Sequence, residues 1–131
     1  HAALAFAATG REAAMARLLQ HVARAAESAS TNGAMEREVG LPLIRATAAY
    51  GRGRFDEAAD LIASVRDIAH RFGGSHAQRD ILSLTLIDAA RRAGRASLAR
   101  HVLAERLVAK PGGAWGRRIL ARIDATSAAT H

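Results

Sequence analysis

Residues 52–62 read RGRFDEAADLI, and this stretch decides the fold. A glycine flanked by arginines is followed at once by Phe55, Ala58 and Ile62, apolar residues stepping by three and four. That spacing is a tight turn opening an amphipathic helix with one buried face. The same grammar occurs twice more, as TGREAAMARLL at residues 9–19 and AGRASLARHVL at residues 93–103. Gly10, Gly53 and Gly94 are therefore 43 and 41 residues apart. Five positions after the glycine stands Ala58 or Ala99, small enough for close helix approach, with Met15 in the first copy. Four further on comes a bulky apolar residue, Leu19, Ile62 or Leu103.

Outward from these junctions the sequence predicts about seven helices. The first covers residues 1–8. The second runs over 11–29 with Met15, Leu18, Leu19, Val22 and Ala26 on one stripe, and Thr9 with Glu12 reads as a capping box before it. SASTNG at 28–33 reads as a loop. A third helix spans 35–51, and Pro42 either kinks it or moves its start to Leu41. The fourth, 55–72, continues its stripe through Val65, Ala69 and Phe72 and stops at Gly73-Gly74. Ser75 and Gln78 form a second capping box for the fifth helix, 76–93. The sixth covers 95–109. After Lys110-Pro111-Gly112-Gly113 a last helix carries Trp115, Ile119 and Ile123.

Composition supports an all-α chain. Alanine fills about a quarter of the 131 residues, prolines are only Pro42 and Pro111, and β-branched residues stand singly. Repetition near 42 residues predicts a single tetratricopeptide-type domain over residues 1–131, a right-handed solenoid of stacked helical hairpins. Its period exceeds the ~34 residues of the standard repeat, so helices or loops are longer. With no initiating Met and helix from its first residues, the chain is read as the C-terminal piece of a longer protein.

A long segment, from LPLIRATAAYGRGRFDEAADLI at residue 41 to AERLVAKP ending at residue 111, resembles the C-terminal region of the tetratricopeptide repeat protein 38 family. GGSHAQRD at 73–80 and LIDAARRAGR at 86–95 carry the likeness most sharply. The resemblance implies a helical-repeat protein with further repeats upstream, and brings no established catalytic activity or cofactor. Many tetratricopeptide domains grip a peptide C-terminus with Lys and Asn side chains. Leu43, Thr47 and Asp88 fill the comparable places here, which argues against that mode.

Several chemistries are absent from the residue inventory. There is no Cys, so disulfides, thiol catalysis and cysteine-ligated zinc are excluded. The six histidines include no pair at i+3 or i+4 and no HExxH, so no metal ligand set is assigned. No glycine pair lies between a strand and a helix, as a phosphate loop requires. Ser75, His76, Arg79 and Asp80 gather at a helix N-terminus that could hold an anion or a partner. Their plainer role is a helix cap, and adjacent Ser75 and His76 point about 100° apart, unlike nucleophile and base.

The net charge of +7 invites a nucleic-acid reading. Nearly all of it is Arg, a bias that a GC-rich genome also produces, and acids such as Asp67 and Asp88 stand four residues before Arg71 and Arg92. The leading expectation is a non-enzymatic, cytoplasmic scaffold for a protein or peptide partner, or a second copy, with neither cofactor nor membrane. Arg45, Tyr50, Arg79, Asp88 and Arg91 are its candidate groove residues. An accessory helical domain of an enzyme with an upstream catalytic part is the alternative, and nucleic-acid binding comes third.

Overall fold

A computed structural model describes residues 1–72, 75–111 and 113–129. These residues are almost entirely helical, with no strand among them. In chain order the segments are α1 (Ala2–Ala8), α2 (Glu12–Ala26), α3 (Thr31–Met35), a π-helical turn (Glu36–Gly40), α4 (Leu41–Gly51), α5 (Phe55–Val65), a 3₁₀ turn (Ala69–Phe72), α6 (His76–Arg92), α7 (Ala96–Ala109) and α8 (Gly113–Ala129). Because α3, the π turn and α4 run on without a break, seven helical rods result among the described residues. The expected stop at Gly73-Gly74, the side chain of Phe72, Gly112 and His131 lie outside the described residues.

All three Gly-Arg junctions fold the same way. Gly10, Gly53 and Gly94 have φ of 65°, 77° and 76°, the left-handed region that L side chains adopt at a cost. At the middle junction the Gly53 N–H donates to the Tyr50 carbonyl at 3.0 Å and the Arg54 N–H to that of Ala49 at 2.9 Å. This is a Schellman closure of α4, and the Gly10 and Gly94 turns repeat it bond for bond. The next residue, Arg11, Arg54 or Arg95, then begins the following helix with matching dihedrals. Each junction thus folds two helices back on each other as a hairpin, α1–α2, α4–α5 and α6–α7.

Alanine lets these hairpins close. Ala49, Ala58, Ala59, Ala89, Ala90 and Ala99 have no exposed surface, and Ala49 and Ala58 flank the second turn in the places that Ala90 and Ala99 take at the third. Between them Ile62, Leu86, Ile87, Val102, Leu103 and Ile123 make one core reaching from α5 to α8. A smaller cluster around Ala3, Met15 and Ala48 joins α1 and α2 to α4.

Local chemistry departs from the sequence expectation in four places. No box caps α2: the Thr9 hydroxyl donates back to the Ala5 carbonyl at 2.7 Å, and Glu12 instead meets Arg52. The loop over 28–33 is shorter than expected, because Ser30 accepts from the Gly33 N–H and starts α3 at Thr31. Arg37 reaches back to the Ala26 and Ser28 carbonyls, closing the end of α2 that no glycine caps. The helix predicted over 55–72 ends at Val65 and resumes as a 3₁₀ turn. That break removes the i,i+4 register, so Asp67 pairs with Arg66 rather than Arg71. Pro42 stands in the first turn of α4, which begins at Leu41 as one of the two expected alternatives had it, but the rod does not start there. Pro42 has no N–H for the Glu38 carbonyl, and the wider π turn just before it absorbs the mismatch.

Candidate functional site

The first helices of the three hairpins, α1, α4 and α6, line a continuous groove. One cleft of about 470 Å³ is walled by Leu4 of α1, Val39, Leu43 and Ile44 of the π turn and α4, and Ile81 and Leu82 of α6. A second, also about 470 Å³, extends it past Thr47 and Thr85 to Ala7, Tyr50, Phe55 and Arg92. Leu4, Thr47 and Thr85 border both. Leu4 is 45 % and Ile81 43 % exposed, so two of the four large apolar side chains left open to solvent among the described residues face each other across this groove. Its floor is dry in character. The Thr47 hydroxyl donates to the Leu43 carbonyl and the Thr85 hydroxyl to that of Ile81, both at 2.8 Å.

One end of the groove is a fixed charged network. Tyr50 on α4 donates its hydroxyl to Asp88 on α6. Arg91 and Arg92 reach the same carboxylate at 2.8 Å and 2.7 Å. Arg92 also lies over the Phe55 and Tyr50 rings, 5.0 Å and 5.8 Å from their centroids, and those rings meet edge to face at 5.2 Å. Burial pushes the Asp88 carboxyl up, but the Tyr50 and Arg91 hydrogen bonds and the two guanidinium charges outweigh it and hold the group below its ordinary value. Burial and the same hydrogen bond raise the Tyr50 hydroxyl.

The GGSHAQRD turn divides. The Ser75 hydroxyl accepts from the Gln78 N–H at 3.2 Å, and the Gln78 side chain accepts from the Ser75 N–H at 2.7 Å, the expected capping box. His76 Nδ1 is 3.0 Å from the Arg79 guanidinium. Asp80 turns toward α7, where Arg106 grips it with two bonds of 2.7 Å and 2.9 Å and Lys110 adds a third at 3.1 Å. Led by the Arg106 hydrogen bond, these hold the Asp80 carboxyl below its ordinary value. His76, Arg79, Asp80, Arg106 and Lys110 line a polar cleft of about 310 Å³ between α6 and α7. Arg79 stands on the ridge between this cleft and the apolar groove.

Of the sequence-predicted groove residues, Tyr50, Asp88 and Arg91 come together and Arg79 stands at the opposite end. Arg45 is exposed, and Arg45, Asp88 and Arg91 border neither half of the groove; Asp88 and Arg91 reach it only through Tyr50 and Arg92. Sequence reading passed over Leu4 and Ile81. Ile81 had a signal: it is an apolar residue off the buried stripe of α6 that Leu86, Ile87 and Ala90 define.

A second feature is electrostatic. Every acidic side chain from Asp56 onward is in an ion pair. The positive surplus falls on arginines such as Arg117, Arg118 and Arg122, exposed on the outer face of α8 with no ion-pair partner among the described residues. No cluster of three or more His, Asp or Glu that could hold a metal occurs among the described residues, and no helix there is long and apolar enough to cross a membrane. No protein-family model matches the chain, and no solved structure matches it.

Proposed function

We propose that this chain is a protein-interaction module of the tetratricopeptide type, in which stacked hairpins form a superhelix and a partner lies along the groove of α1, α4 and α6. The observation that carries this reading is the groove itself: apolar walls from the equivalent helix of each hairpin, with Leu4 and Ile81 left open. Repeat arrays use this concave face for binding, and open apolar patches rimmed by polar groups mark interaction sites. The likeness to the tetratricopeptide repeat protein 38 family, the cytoplasmic location and a scaffold role without catalysis belong to the same proposal. Consistent with it, the Ser75 hydroxyl is occupied in a helix cap and His76 meets Arg79 rather than a nucleophile.

Affinity capture from the source cell tests it, with the native chain, Ile81→Glu and Val108→Glu side by side. Val108 is 83 % exposed and outside the groove, which makes it the control. Proteins kept by the native chain and the control but lost from Ile81→Glu are the expected result. An identical set on all three removes the groove as the binding face. The unpaired arginines of α8 favour a second reading, contact with a phosphate backbone, which salt dependence tests below.

A further inference from the structure

The groove's hydrogen-bonding capacity bears on the shape of what it takes. An extended peptide brings unpaired backbone N–H and C=O groups, and burying these without partners is costly. The groove offers little to satisfy them. Along α4 and α6 its walls are helix interiors whose backbones are bonded, and the hydroxyls of Thr47 and Thr85 are turned onto their own helices. Gln78 is held in the α6 cap, and of the cleft's other polar side chains Glu36 and Arg79 stand at the end away from Tyr50. A ligand here has to satisfy its own backbone and present side chains only. Along α4 the groove runs from Val39 to Gly51, roughly 18 Å at the helical rise, or about three helical turns. At the Tyr50 end two guanidinium groups, Arg91 and Arg92, share the single carboxylate of Asp88, leaving one positive charge uncompensated beside the groove.

We infer that the groove takes an amphipathic α-helix of about three turns, apolar face inward against Leu4, Leu43 and Ile81, with an acidic side chain over the Tyr50–Arg92 end. This rests on the groove being the binding face, as proposed above. The recognition mode is a helix laid in an apolar groove, read as anchors at i, i+3, i+4 and i+7. Arg92 is prepared for a carboxylate, because the Phe55 and Tyr50 rings and Asp88 hold its guanidinium in place before any partner arrives.

A displayed library of random peptides, each about 14 residues, selected on the full chain, provides the probes. Enriched sequences are expected to space apolar residues at i, i+3, i+4 and i+7 and to carry an excess of Asp and Glu. A synthetic consensus peptide should gain helical circular dichroism on binding and lose at least tenfold in affinity when a central residue becomes Pro. Ile81→Glu and, on the opposite wall, Leu4→Glu should each weaken it at least tenfold. Both positions are partly open, so melting curves near native show that these variants are folded. Val108→Glu should leave affinity unchanged, and Arg92→Gln should weaken the acidic peptide more than its Gln-substituted counterpart. Enrichment of proline-rich or alternating sequences that still depend on Ile81 overturns the helical occupant and leaves the groove standing. Binding indifferent to Ile81→Glu and Leu4→Glu, or no enrichment at all, overturns both readings. A dimer of the chain that Ile81→Glu dissociates puts a second copy in the groove and overturns the inferred partner.

Discussion

The hydroxyl of Tyr50 is bonded to the carboxylate of Asp88, 38 residues further along, so a single contact ties the first helix of one hairpin to the first helix of the next. Both residues looked like ligand-contacting groups, yet each is the other's principal partner. Tyr50→Phe should cost about 1.5–2 kcal/mol, the lower part of the range for a hydrogen bond to a charged group, because Asp88 keeps Arg91 and Arg92. Chemical denaturation measures it. In the native protein the raised Tyr50 hydroxyl favours the folded state until pH rises above the ordinary tyrosine value near ~10, where the unfolded chain ionises first.

Asp80→Asn should be the more damaging change. Asp80 and Arg106 are only 18 % and 17 % exposed at their side chains, and the loss strips a bidentate partner from Arg106. About 1–3 kcal/mol is expected near neutral pH. The sign with pH follows from the lowered carboxyl: its contribution is complete above the ordinary carboxylate value and disappears as pH falls through the lower folded-state value. The gap between native and variant in melting temperature should therefore narrow in acid.

Ser75→Ala should lower stability by about 0.5–2 kcal/mol through loss of the α6 cap. Affinity for any groove-bound peptide should stay within about twofold once folding is allowed for. A variant of native stability that has lost binding would make the turn a contact site.

Ala58→Leu should destabilise by about 1–3 kcal/mol, since Ala58 has no exposed surface and lies where α5 crosses α4. An unchanged denaturation midpoint would mean that the crossing tolerates a larger side chain than its burial allows.

For the basic face of α8, random duplex DNA is the probe. Binding at low salt should vanish by about 150 mM, and Arg117→Gln with Arg118→Gln and Arg122→Gln should flatten the salt slope by roughly one per arginine that meets a phosphate. Tight binding that persists at about 200 mM and falls in this variant would place nucleic acid ahead of a helical peptide.

How far the fold could be read in advance follows from the range of the forces involved. Helices α2, α4, α6 and α7 were legible because apolar spacing and the Gly-Arg turns are local, and Ser75-x-x-Gln78 forms the cap its spacing implies. Thr9-x-x-Glu12 has the same spacing and forms none, because the Gly10 turn lies inside it and Arg52, 40 residues away, takes the carboxylate. The groove was half legible. Tyr50 and Arg79 border it, but Arg45, Asp88 and Arg91 do not, and Leu4 and Ile81 take their meaning only from each other across a gap that no sequence window spans. The π turn before Pro42 belongs to a rod that runs unbroken from Thr31 to Gly51, and its wider winding has no signature in the local residue spacing.

At the Gly53 turn a methyl group built in the L position would meet nothing within 4 Å, and the same is true at Gly10 and Gly94. Space is therefore not what glycine supplies there; freedom from L stereochemistry is. The three turns ask for the mirror-image residue, which ribosomal synthesis cannot deliver, and an achiral one is the nearest substitute. A chemically assembled chain with D-alanine at these positions would fit the same backbone, and its unfolded state would have fewer conformations to give up. The array carries a repeated stability deficit that belongs to the alphabet it is written in rather than to its architecture.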